Sequence, residues 1–421
     1  MNRRSAPRWI RATLMAALSM IPGFCDAQEA LRNAIQQDQG FNQRQLAAAK
    51  NAGQSETDRP AFTVGASLGI EFDDNISLVQ NNRLSDVSIS PGMNFAGQWP
   101  ISQTSQLSFG IGVAYQKYLK YSEYDQLTIT PNSALALDIP ARDFVFTFYD
   151  SISYSQDVIS QAALSGVAQF PQIVNTVGTR ISWVPSEWIF QAGYAHGTTF
   201  SPGGDVDYLN GSSEQFFARA GYRLARATTV GLESSATLQD YDSSTQADST
   251  SYTFGPYIEW KITEALEINL RGGLSYNTFE PTNSLTQAET LDSYYSYVSI
   301  NHRLTDFVSH SLGGGHSIEP GVNQGSDYVE SSTVNYQITW ALRRTTSLSG
   351  NVSYQIGNQP NIGPGGQEED FNQFGFGFGI QQGLTQKLSS SLAYSFTKRD
   401  SNLPDRGYTQ NTVLLTFNYQ F

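Results

Sequence analysis

The sequence predicts an all-β protein: a transmembrane, antiparallel, up-and-down β-barrel of about 18 strands, with about 16 as the alternative count. Three observations predict it. Apolar and polar residues alternate with period two in many segments, turns of two lengths alternate along the chain, and an aromatic-rich composition coexists with low mean hydropathy. The 421 residues include 22 Tyr and 24 Phe, yet mean hydropathy is −0.34. That combination suits strands whose two faces meet different surroundings.

The amino terminus is read first. Arg3, Arg4, Arg8 and Arg11 precede an apolar stretch from Ala12 to Ile21 and then Pro22-Gly23. This is the layout of a secretory signal. Cys25-Asp26-Ala27 fits the small-x-small cleavage rule, which assigns 1–27 to a cleavable signal peptide. Bulky Phe24 before Cys25 argues against a lipid anchor on that cysteine. It is the chain's one cysteine, so no intramolecular disulfide and no thiolate metal site is expected. Residues 28–60, with Gln-rich and Ala-rich patches, read as a flexible or partly helical periplasmic segment able to plug a lumen or touch a partner. The barrel is assigned to 61–421.

Twenty-five basic residues face 38 acidic ones, and cleavage would remove four arginines against one aspartate. So acidic a chain is a poor nucleic-acid ligand. Beyond the signal no run of about eighteen apolar residues occurs, which excludes a transmembrane helix. A closed sheet crosses a bilayer differently, pairing every backbone polar group while keeping one face polar.

The clearest strand is the last. Val413, Leu415, Phe417, Tyr419 and Phe421 share one face, and Leu414, Thr416, Asn418 and Gln420 share the other. Phe374, Phe376, Phe378 and Ile380 alternate with glycines, and Val334, Tyr336, Ile338 and Trp340 alternate with Asn335, Gln337 and Thr339. Leu266, Ile268, Leu270, Leu274 and Tyr276 oppose Glu267, Asn269, Arg271, Ser275 and Asn277. A helix would scramble these faces.

Eight short polar turns and nine longer Asp/Asn/Gly/Ser segments follow one another. Such alternation gives about eighteen strands with both termini on the short-turn side. A loose repeat at the short turns, as in "YRLARATTVGL" and "WKITEALEINL", starting at Tyr222 and Trp260, marks one rim. Trp99, Trp183, Trp188, Trp260 and Trp340 all stand beside short turns. Indole prefers the membrane–water interface, so these five form a membrane-interface girdle. The long loops carry acids, among them Asp73, Asp74, Glu368, Glu369 and Asp370, which are expected to face outward and stay solvated.

The ending Val413-x-Leu415-x-Phe417-x-Tyr419-x-Phe421 is similar to the terminal signal by which the outer-membrane assembly machinery recognises its substrates. The opening hairpin, Gly65 to Phe95 with "EFDDNISL" and "SDVSISPG", resembles the β-barrel porin 2 family. That resemblance implies a bacterial outer-membrane barrel and an association with exopolysaccharide production or export.

From the faces opposite the apolar ones, the charged lumen-lining candidates are Arg219, Arg223, Glu233, Glu259, Lys261, Glu267 and Arg271. A ring of both signs would orient polar or saccharide solutes while holding them weakly. Alternatively, opposite charges on neighbouring strands pair and stiffen the wall. The function expected is a porin-like channel for small polar solutes, or an export-associated barrel, whose partners are outer-membrane lipid and the assembly machinery. A plugged adhesin or receptor is the second class. An outer-membrane hydrolase is the third, and it would have to use His196, His302, His310 or His316 with a nearby nucleophile. HExxH, P-loop and dinucleotide motifs are absent. No catalytic residue, metal or cofactor is assigned.

Overall fold

The computed structural model describes residues 61–421 apart from 103, 131–132, 156–161, 166–169, 204–205, 281–288 and 363–365. The signal and the 28–60 segment lie outside the described residues. Nineteen strands follow in chain order. They are β1 (Ala61–Asp73), β2 (Asp86–Pro100), β3 (Gln106–Tyr118), β4 (Gln126–Ile129), β5 (Ala134–Ala141), β6 (Phe144–Ser155) and β7 (Gln172–Trp183). Next come β8 (Trp188–Phe200), β9 (Gly211–Ala225), β10 (Thr228–Tyr241), β11 (Ser249–Lys261), β12 (Leu266–Phe279) and β13 (Glu289–Arg303). The last are β14 (Val308–Pro320), β15 (Tyr328–Arg343), β16 (Thr346–Ile362), β17 (Gln367–Gly383), β18 (Leu388–Ser401) and β19 (Tyr408–Gln420).

Each strand pairs antiparallel with its chain neighbour, and β1 pairs with β19 from Gly65↔Gln420 to Asp73↔Thr412. The sheet therefore closes without a free edge. Both β4 and β5 lie between β3 and β6, so they are two halves of one stave interrupted near Thr130–Ser133. The result is a closed antiparallel barrel of 18 staves, as the turn count predicted.

Period-two alternation becomes inside and outside. On β11, Tyr252, Phe254, Ile258 and Trp260 are exposed while Gly255 and Tyr257 are buried. On β9, Phe216 and Tyr222 point out, and Gln215, Phe217 and Arg219 point in. A large aromatic that points inward needs room on its neighbours. A Cβ on Gly221 would fall 2.1 Å from the Tyr257 hydroxyl and one on Gly231 2.5 Å from its ring, so glycine is required where that side chain lies against the wall.

The closing seam carries its own clasp, built from the residues of the "EFDDN" run. Asn411 donates its backbone N–H to Asp74 Oδ1 at 2.7 Å and its Nδ2 to Oδ2 at 2.6 Å. Gln410 donates to Asp73 at 2.6 Å, and Asn75 Nδ2 donates to the Thr409 carbonyl at 2.9 Å. Asp73, expected among solvated loop acids, is 7 % exposed because the strand end turns its carboxylate onto this seam.

A tilted strand needs about 9–11 residues to cross the hydrocarbon. β15, β16 and β17 have 16, 17 and 17. Their surplus raises the wall into a high rim on the long-loop side.

Candidate functional site: the outer wall, the inner wall and the mouth

The outward face is a continuous apolar surface. Trp99, Trp183, Trp188, Trp260 and Trp340 are all exposed on it. Trp183 stacks on Phe144 and Phe190, and Trp188 contacts Phe190 and Tyr222. These rings make one aromatic band along the short-turn rim. Above it run Leu232, Leu270, Leu274, Val334, Val352 and Phe378, all exposed. Water would not tolerate such a surface on a closed barrel, and hydrocarbon requires it. The chain is an outer-membrane β-barrel. On the last strand, Val413, Tyr419 and Phe421 are exposed and Leu415 and Phe417 half-buried, all on this lipid-facing side.

Inside, β9, β10 and β11 assemble a cluster of both signs. Arg219, 8 % exposed, lies 3.3 Å from Glu233 and 3.0 Å from Glu259, with its guanidinium 3.7 Å above the Tyr257 ring. Tyr295, from β13, donates to Glu233 at 3.3 Å. The register places Glu233 opposite Arg219, and Glu259 follows one strand on. Strand pairing thus brings together three of the seven predicted charges. Lys261 and Glu267 form a looser pair at 3.9 Å, and Arg271 covers the Tyr297 ring at 4.6 Å. Arg223 is half-buried on the same face near the short-turn rim. Arg180 is an inner-wall charge the sequence did not single out. It donates to Thr147 at 3.3 Å, and Thr147 donates to Asp138 at 2.6 Å. Its alternation on β7 was the available signal.

At the long-loop end the mouth is filled by protein. Leu78, Leu164, Phe170, Val206, Leu209 and Tyr408 form one buried cluster. Leu78, Leu164, Phe170, Val206 and Leu209 come from the β1–β2, β6–β7 and β8–β9 connections and Tyr408 from the start of β19, so residues rooted at separate places on the ring meet here. Ala162, Ala163, Val329 and Phe371 form a second cluster. The contributor from β6–β7 is the segment Ala162–Ser165, which reaches β15–β18 on the opposite side of the ring.

There it meets polar side chains. Arg399 Nε donates to the Ala162 carbonyl at 2.6 Å. The Ala163 carbonyl faces Gln359 Nε2 at 2.9 Å, Asn323 Nδ2 at 3.0 Å, Arg406 Nη2 at 3.1 Å and Arg399 Nη2 at 3.4 Å. Glu369 binds both guanidiniums, Arg399 at 2.8 Å and Arg406 at 2.9 Å. Side chains of Arg399 and Glu369 are fully buried. Glu369 was expected to face solvent. It instead lies on the inward face of β17 beneath the crossing segment, where two arginines repay its desolvation. The sequence signal for this site was an apolar stretch, Ala162 to Phe170, inside a long connection of an otherwise polar set.

The histidines all take outward-facing positions. His302 Nδ1 lies 3.1 Å from His310 Nε2 near the short-turn rim, and His196 pairs with Glu214 at 2.8 Å. His316 stacks on Tyr294 with ring centroids 4.2 Å apart. Its Nδ1 is 2.9 Å from Ser332 Oγ and its Nε2 3.1 Å from Glu330 Oε1.

No family model matches the chain, and no curated protein matches it. Solved structures do. The chain is similar to Pseudomonas aeruginosa OpdK with vanillate at 12 % identity and a TM-score of 0.45, covering 86 % of this chain and 99 % of that one. Acinetobacter baumannii OccAB3 matches at 11 % and 0.45, over 86 % and 99 % of the two chains. Pseudomonas aeruginosa OccK5 (OpdH) matches at 12 % and 0.47, over 86 % and 98 %. Scores of this size say nothing about solute or mechanism, and the fold rests on its own strand pairing.

Proposed function

We propose that the barrel is a porin-like channel for small polar solutes whose mouth is constricted by the Ala162–Ser165 segment. The observation that carries this is the contrast of the two faces. The outer face is aromatic and aliphatic, while the inner face carries Arg219, Glu233, Glu259, Arg271 and Arg180 among Ser, Thr and Asn. Pairs such as Arg219 with Glu233 and Glu259 stiffen the wall, and the same inward charges give a passing solute orientation with weak retention. Arg219, Arg223, Glu233, Glu259, Lys261, Glu267 and Arg271 are the residues such a solute would pass. The five tryptophans would set the depth of the barrel in the bilayer, and the carboxyl-terminal strand would deliver it to the assembly machinery.

Membership of the β-barrel porin 2 family belongs to this proposal and rests on the Gly65–Phe95 hairpin. An exopolysaccharide role comes only with that membership. The deciding experiment is conductance of the purified barrel in planar bilayers, followed by liposome swelling with sugars of graded size. Discrete steps and a size cut-off support the channel. A barrel that inserts and never conducts supports the filled receptor or scaffold.

One observation favours a second reading, an outer-membrane hydrolase. Ser332 is hydrogen-bonded to His316 at 2.9 Å on the outward face, and Glu330 lies 3.1 Å from the other ring nitrogen without making a hydrogen bond to it. Strand pairing sets Ser332 opposite His316. Release of fatty acid from phospholipid vesicles, lost in both Ser332→Ala and His316→Ala, would establish this reading. Absence of release from the wild-type protein would end it.

A further inference from the structure

We propose that Asn323, Gln359, Arg399 and Arg406 form a binding site for the oxyanion of a small solute, a carboxylate or phosphate, and that the Ala162–Leu164 segment occupies it as an internal surrogate which such an anion displaces. The proposal rests on the channel reading above.

The Ala163 carbonyl carries two lone pairs, yet four side-chain donors approach it within 3.4 Å. Such convergence exceeds what a neutral carbonyl can use and matches what a multi-oxygen anion accepts. The Arg406 Nε–H is buried with no acceptor, so the site holds a donor that the carbonyl leaves unspent. Two guanidiniums are balanced by the single Glu369 carboxylate that bridges them. Among these three charges one positive charge remains, and the surrogate answers it with dipoles alone. Hydrogen bonds to an ionised acceptor are roughly twice as strong as neutral ones, and planar guanidiniums suit an oxyanion's geometry. Phe371 lies under Arg399 at 4.9 Å and Val329 closes the side, which lowers the local dielectric and strengthens the attraction.

The surrogate is buried but not built into the sheet. Its hold on the far wall consists of main-chain carbonyls and the contacts of Ala162, Ala163 and Leu164, with no strand pairing to β15–β18. Withdrawal would expose two arginines, an asparagine and a glutamine at the top of the solute path. An anion arriving there keeps those donors satisfied and so favours the open arrangement.

The test uses the whole mature barrel in planar bilayers at fixed ionic strength, with chloride exchanged stepwise for acetate in one arm and phosphate in the other. Three proteins are compared: wild type, the N323A/Q359A double variant, and a deletion of residues 162–165. Wild-type conductance should rise with either anion or with one of them, which identifies the preferred oxyanion. The double variant keeps the ion triad and should need about a hundredfold more anion, as loss of two charge-assisted hydrogen bonds implies. The deletion should conduct well from the start and ignore the anion. A conducting deletion beside an unresponsive wild type would overturn the anion site while leaving the channel intact, as would equal anion sensitivity in wild type and double variant. A silent deletion would overturn the channel reading and this proposal with it.

Discussion

Arg219 shows how much one inward side chain can carry. It is nearly buried, paired with Glu233 and Glu259 and seated on Tyr257. Removing it takes the guanidinium away from two carboxylates, and breaking such a pair costs about 3–5 kcal/mol in a buried setting. Arg219→Met is therefore expected to lower stability and to make the channel more cation-selective, whereas Glu233→Gln shifts selectivity towards anions; reversal potentials across a salt gradient measure both. Asp327, in the β14–β15 connection, behaves differently. Burial raises its carboxyl above the usual range, against a hydrogen bond from Asn361 that lowers it. The folded state thus takes up a proton more readily than the unfolded one. The penalty of ionising it in the fold grows as pH rises from the ordinary carboxylate range to the raised value, is full above that, and is relieved as pH falls back through the same window. Asp327→Asn should remove this pH dependence and raise stability near neutrality, read from protease resistance of the loops across a pH series.

At the scale of elements, the seam between β1 and β19 is the place where the ring must be finished. Residues at opposite ends of the barrel sequence meet there, so closure entropy is large and local clasps matter. Asp74 accepts two hydrogen bonds from Asn411. Asp74→Ala should cost about 1–3 kcal/mol by leaving Asn411 donors unsatisfied. The expected readout is a lower temperature for conversion of the compact to the unfolded band in SDS electrophoresis, with unchanged conductance per folded molecule. The "EFDDN" run, which carried the family resemblance, is thereby given a physical task in closing the sheet.

At the scale of the whole molecule, a single surface separates lipid from the interior, and neighbouring residues of one strand lie on its two sides. Val334 is exposed on the outside of β15 and Asn335 faces inward beside it. Val334→Arg, near the middle of the band, should destabilise by about 2–4 kcal/mol, and Asn335→Arg by much less. Reversible urea unfolding into lipid vesicles compares the two, and equal penalties would refute the assignment of faces.

The sequence by itself determined the closed antiparallel barrel and put its staves at about eighteen, because strand periodicity and turn length are local properties written in adjacent residues. The break between β4 and β5 escaped it, since an interrupted stave keeps the turn order intact. Tertiary structure alone decided what the inward residues touch. Arg219 meets Glu259 and Arg399 meets Glu369 through pairing and register, while the Ala162 carbonyl reaches Arg399 across 237 positions of chain. No periodicity encodes that last contact. It depends on a connection crossing the barrel mouth, and its direction is set by burial of Leu164 and Phe170 against residues from several other loops.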